Sequence, residues 1–172
     1  VLTRTLVVAA CVLALVGCGG SGALGGPDDA VQANATVVRV VDGDTVVVDA
    51  AGVDERVRLI GIDTPESVDR NRPVMCFGPE ATEHLTELLP EGTAVRLERD
   101  VEARDRYDRL LAYLYRAEDG MFVNMTMVSD GYAQEYPFPP NVEHRAGFRA
   151  AEREARTRGA GAWSDCQDPF ER

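Results

Sequence analysis

The sequence predicts an α+β domain, mainly β, in which a five-stranded barrel carries three helices. Three observations predict it. β-branched runs alternate with turn dipeptides, as in Thr36–Val41, Asp42-Gly43 and Asp44–Asp49. A single helical period, Pro79 to Leu89, interrupts the strands before residue 120. Hydrophobic residues make up 45% of the 172-residue chain, enough for one core.

The chain is expected to divide into four stretches. Residues 1–17 read as a signal peptide, with Arg4 as a short basic start and Leu6 to Val16 as the apolar run. That run is too short for an ordinary membrane-spanning helix, which needs about 20 residues. Leu15-Val16-Gly17-Cys18 resembles a lipobox, so Cys18 is a candidate for lipidation and for a membrane anchor at the cell surface. The alternative is a plain secretory signal. Residues 18–34 are rich in Gly, Ala and Ser and read as a flexible tether. The folded domain is expected over residues 35–166, with 167–172 as a tail.

Within the domain, Asp44 opens the return strand of the first hairpin, and Ala51-Gly52 turns the chain into a third strand, Arg56 to Ile62. The turn needed to bring Asp63 round to Arg58 is assigned to Thr64-Pro65, because proline fixes its own φ and extends its predecessor. Gly78-Pro79-Glu80 starts the first helix and Pro90-Glu91-Gly92 ends it. His84, on that helix, reads as a partly packed side chain. Strands follow at Thr93–Glu98 and Leu110–Tyr115, separated by a charged loop, Arg104–Arg109. Asn124 is the expected N-cap of a helix through Val128, and Gly131 closes it. Residues 136–140 are held extended by three prolines, and a last helix runs from Glu143 to Arg158, with Trp163 packing behind it. Five strands, one helix after the third and two after the fifth, give a barrel of the OB-fold kind.

The net charge is -11 and every basic residue is Arg. So acidic a chain is a poor general binder of polyanions, because its field repels phosphate at a distance. Acidity without Lys points to a high-salt environment, where screening makes surface repulsion tolerable; a GC-rich genome would also favour Arg. Of four cysteines, Cys11 leaves with the signal and Cys18 would carry lipid. Cys76 and Cys166 remain as an even pair in an exported domain, and a disulfide between them is predicted.

The chemistry centres on Arg58-Leu59-Ile60-Gly61-Ile62-Asp63-Thr64-Pro65-Glu66. Asp44 and Asp63 can meet at one end of a twisted meander. Two carboxylates, a carbonyl such as that of Thr64 and waters suit Ca²⁺, ahead of Mg²⁺. Glu66 is placed to deprotonate a water. Arg58 and Arg109 are permanent forked cations that match phosphate oxygens. Metal, base and two guanidiniums are the parts required for phosphodiester hydrolysis.

Val41-Asp42-Gly43-Asp44-Thr45-Val46, Arg58 to Glu66, Gly78-Pro79-Glu80-Ala81 and Asp105-Arg106-Tyr107-Asp108-Arg109-Leu110-Leu111-Ala112-Tyr113-Leu114 together resemble staphylococcal nuclease, the thermonuclease family. The resemblance runs from about residue 36 to Trp163, with the segments in family order. It implies an OB-fold, Ca²⁺-dependent phosphodiesterase acting on DNA and RNA and leaving 3′-phosphates. By motif position it implies Asp44, Asp63 and Thr64 at the metal, Glu66 as general base, and Arg58 and Arg109 as phosphate clamps. Arg106 and Tyr107 resemble the nucleotide-contacting pair, and Tyr136 or Phe138 supplies a ring for a base to stack on. Two departures stand out: Asp108 replaces the usual Gly before the second Arg, and the family member compared is basic and Lys-rich. The domain is expected to act as a monomer. The runner-up reading is a non-catalytic nucleic-acid-binding module; such modules lose the carboxylates and arginines that this chain keeps. A barrel that binds protein or glycan is a weaker third.

Overall fold

A computed structural model describes residues 30–67 and 74–170. The expected signal peptide, Cys18 and most of the tether lie outside them. The described chain runs β1 (Ala35–Asp42), β2 (Thr45–Ala50), β3 (Val53–Leu59), β4 (Ile62–Asp63), α1 (Gly78–Leu88), β5 (Ala94–Glu98), β6 (Leu110–Arg116), α2 (Val123–Ser129), β7 (Gln134–Glu135), α3 (Arg145–Arg158) and α4 (Ala162–Asp165).

Five of these strands close a barrel in the order β1-β2-β3-β6-β5, with β5 returning to β1. Neighbours are antiparallel except β3 and β6, which run parallel with Arg58 opposite Leu111. Alternation explains the interior: Val37, Val46, Val48, Val57, Leu59, Val95, Ala112 and Leu114 are all buried. Each fully buried Val or Leu contributes roughly 1.5–3 kcal/mol. Leu85 and Leu89 on α1, Met127 and Val128 on α2 and Phe148 on α3 extend the same core. This is the predicted five-stranded OB-type barrel.

Three local expectations are corrected. The third strand does not run through Ile62. It stops at Leu59, the chain turns at Ile60-Gly61, and Ile62–Asp63 pairs with β7 in a separate two-stranded sheet. The turn that swings Asp63 back toward Arg58 is therefore at Gly61 rather than at Thr64-Pro65. Gly61 has φ 81, and a Cβ there would lie 2.8 Å from Cδ2 of Phe148 and closer still to Cε2. Only glycine satisfies both constraints. Second, Asp44 sits in the β1–β2 turn, with Thr45 opening β2; its amide bonds the Asp42 side chain at 3.1 Å. Third, Asn124 is not a cap. The helix begins one residue earlier, and the buried Asn124 amide donates to Ile60 O (2.9 Å) while its Oδ1 accepts from Leu114 N (3.0 Å). One side chain thus ties the end of β3 to β6 and α2.

A fourth, short helix, α4, holds Trp163, whose ring lies under Arg156 (4.1 Å) and against Phe170 (4.7 Å). Cys76 and Cys166 form a disulfide, with Cα atoms 6.1 Å apart, joining the start of α1 to the end of α4. His84 stacks on Tyr132 (4.0 Å) and meets Asp130 at 3.1 Å.

Candidate active site

A cleft of about 680 Å³ opens at the end of the barrel, bounded by the β1–β2 turn, the Gly61–Glu66 corner, the 102–109 loop and the 136–138 segment. It is lined by every residue singled out from the sequence for metal, base, clamp or nucleotide contact: Asp44, Arg58, Asp63, Thr64, Glu66, Arg106, Tyr107, Arg109 and Tyr136. Phe138, the alternative stacking ring, lines it too.

At its floor, Arg58 projects from β3 and is 8% exposed. Its Nη2 lies 2.9 Å from Asp44 Oδ2 and 3.3 Å from Asp63 Oδ1, and its Nη1 donates to Leu59 O. The two carboxylates therefore flank one point, although they come from a hairpin turn and a strand 19 residues apart in sequence. Thr64 is joined to the same group: its amide and Oγ1 each donate to Asp44 Oδ2 at 3.3 Å. Isolated buried charges are costly, and this mutual pairing is what makes the cluster tolerable.

A third carboxylate, Asp42, stands at the edge. Burial, and then the negative charge of Asp44, push its pKa up to about 6. Carboxylates are thus crowded at this end of the barrel, a condition that a bound cation relieves. The donors are all oxygen, which fits a hard cation such as Ca²⁺. Asp44, Asp63 and the Thr64 carbonyl would hold it. Among the described residues no group of three or more His, Cys, Asp or Glu side chains could hold a metal ion. Water and substrate oxygens would have to complete the coordination.

Glu66 sits at the rim and accepts a bond from Ser67 N on Oε1 (3.1 Å). Its backbone is held from behind. Met75 N donates to its carbonyl at 2.8 Å, and a Cβ on Gly78 would come within 2.9 Å of its carbonyl carbon. The start of α1 is therefore packed directly on the residue that carries the candidate base.

On the opposite wall, Asp105 organises the loop. Its carboxylate accepts from Tyr107 N (2.9 Å), Arg109 N (3.0 Å) and Arg109 Nε (2.7 Å). Burial pushes its pKa up, but these bonds from Arg109 and Tyr107 outweigh it and hold the group below the ordinary carboxylate value. Arg109 is thereby presented with its fork fixed. The exposed Tyr107 ring is approached by two guanidiniums, 4.7 Å from Arg106 Cζ and 5.6 Å from Arg109 Cζ. Asp108 has φ 64, a conformation that suits the glycine found there in the resembled family. Arg104 secures it by donating from Nη1 to Asp108 O (2.8 Å), while also pairing with Glu55 at 2.7 Å.

Sequence reasoning missed Asp42, read only as a turn residue, and Gln134, whose Nε2 lies 3.5 Å from Asp63 Oδ2. It also missed the role of Asp105. The signal for Asp105 was present in its placement four residues before Arg109 in a loop.

Comparison with known proteins agrees with this geometry. The model of the staphylococcal nuclease homologue family matches residues 56–165. A thermonuclease of Staphylococcus intermedius is 42% identical over 127 residues, covering 74% of either chain. A thermonuclease of Staphylococcus hyicus is 37% identical over 129 residues, covering 75% of each. Endonuclease YncB of Bacillus subtilis (strain 168) is 38% identical over 133 residues, 76% of this chain and 62% of that one. With a barrel, a cleft and matches of this extent in agreement, the chain belongs to the staphylococcal nuclease homologue family.

Proposed function

We propose that this nuclease is calcium-dependent, that it hydrolyses DNA and RNA to 3′-phosphate products, and that it works at the outer face of the cell membrane, held by lipid on Cys18. The observation that carries the chemical part is the convergence, in one cleft, of two paired carboxylates, a rim carboxylate and two guanidiniums. Relatives named thermonuclease and endonuclease support it.

The geometry supports the following roles. Arg109, and Arg58 from the floor, hold the non-bridging oxygens of the scissile phosphate, where charge builds as water attacks. Glu66 takes a proton from that water on a side-chain oxygen. The new P–O bond forms as the bond from phosphorus to the 5′ oxygen breaks; that oxygen takes a proton from solvent and departs as the 5′-hydroxyl, leaving the phosphate on the 3′ side. Tyr107 and Tyr136 offer ring faces to the flanking bases. Bound calcium supplies Lewis-acid polarisation of a phosphoryl oxygen.

Single-stranded DNA incubated with the full chain and Ca²⁺ is expected to be cut, and a chelator to stop the cutting. The assay should be run across salt, because an acidic chain is expected to bind substrate best where repulsion is screened over the Debye length. Cleavage indifferent to chelator at every salt concentration contradicts the calcium reading. The anchor is read by fractionation: the chain should pellet with membrane, and Cys18→Ala should release it. Equal partition of the two forms argues against lipidation.

A further inference from the structure

The chain is strongly acidic, yet one flank of α3 is basic. At about 100° per residue, Glu152, Arg145, Arg156, Arg149 and Arg153 fall within roughly a 100° arc on one side of the buried Phe148. Glu154 and Arg158 pair with each other on the other flank (3.2 Å). The arginine flank is the one that abuts β7. Arg145 Nε donates to Glu135 Oε1 (3.1 Å), and Glu152 Oε2 accepts from Glu135 N (3.0 Å). On its far edge β7 pairs with β4, placing Gln134 opposite Asp63, and Tyr136 N donates to Gly61 O (3.0 Å). A line from the cleft floor across β7 therefore leads directly onto the arginine flank.

Two of the four arginines are committed: Arg145 to Glu135, and Arg156 to Glu152 (2.6 Å) and the Trp163 ring. Arg149 and Arg153, one helical turn apart, are exposed, and their guanidiniums make no hydrogen bond or ion pair among the described residues. With Glu135 and Glu152 counted, the flank still carries two net positive charges.

Resting on the nuclease reading above, we propose that Arg149 and Arg153 form a second phosphodiester-binding track. It holds the backbone of the substrate strand after it leaves the cleft past Tyr136. Forked, permanently charged donors spaced along a helix suit successive phosphates and carry no base preference. The track gives an acidic enzyme a local cationic surface beside its site, on a segment that takes no part in the chemistry.

The test pairs Arg149→Ala/Arg153→Ala with the wild-type full chain on two substrates. One is a 16-nucleotide single strand; the other is a dinucleotide that fills the cleft alone. For the longer strand, kcat/KM should fall about tenfold at low salt. Its slope against the logarithm of salt concentration should become more positive by about 1.4, two lost contacts at roughly 0.7 each. Dinucleotide kinetics and the kcat for the long strand should stay unchanged. Equal salt slopes for variant and wild type overturn the track, as does an equal loss on both substrates. Unchanged long-strand kinetics with lost binding to anionic phospholipid vesicles would assign the flank to a membrane surface instead and overturn the proposal. A wild-type chain that cleaves neither substrate overturns the nuclease reading, and the track falls with it.

Discussion

Arg109→Ala is expected to lower turnover about a thousandfold, the scale seen when one transition-state donor is removed. The chain should remain folded. Arg109 is half-buried and, among the described residues, its ion pair is with Asp105, which keeps its bonds from the amides of Tyr107 and residue 109 after the substitution. The stability cost should therefore stay near that of one charge-assisted bond, about 1–3 kcal/mol. Arg109→Lys restores the charge but not the fork, so it should recover only part of the rate. Turnover of a saturating single strand and a thermal melt of the same preparations decide the matter. Near-normal turnover in the alanine variant would remove the clamp role, and an unfolded variant would show that the 104–109 loop depends on Arg109.

Replacing Cys76 and Cys166 together by Ser is expected to reduce stability by up to about 4–5 kcal/mol, the chain-entropy figure for so long a loop. That is a large share of the roughly 5–15 kcal/mol that holds a domain together. Turnover should fall as well, with KM little changed. Cys76 follows Met75, whose amide holds the Glu66 carbonyl, and precedes Phe77-Gly78, where α1 packs on that same carbonyl. Freeing this segment from the C-terminal end loosens the support of the candidate base without touching the clamps. Denaturant midpoints and steady-state kinetics of the double variant measure both effects. An unmoved midpoint would deny the bond its stabilising role, and unmoved kcat would deny the link to Glu66.

The barrel was legible because its code is local. β-branched runs such as Val46–Val48 and the Asp-Gly turn name strands and hairpins without knowledge of partners. The cleft residues were legible by type and order, chiefly through their resemblance to a family. What stayed hidden depended on contacts between distant segments. Gly61 read as a thin spot in a strand, since nothing nearby announces that Phe148, 87 residues later, occupies the space beside it. Asn124 looked like a cap, because Asn before an apolar helix usually is one. Its partners, the Ile60 carbonyl just past β3 and the Leu114 amide on β6, are 64 and 10 residues away in sequence. The two-residue β4 and β7 are too short for any periodicity to reveal.

Asn124 also acts as a check against mispairing. Sliding β3 by one residue along β6 would turn each β3 side chain to the opposite face, moving Arg58 from the cleft floor into the apolar interior. Apolar side chains alone penalise such a slip only diffusely. The Asn124 amide penalises it sharply, because the Ile60 carbonyl would no longer meet its donor and a buried polar group would be stranded at a cost of about 1–3 kcal/mol. A side chain outside the cleft thereby proofreads which way Arg58 faces.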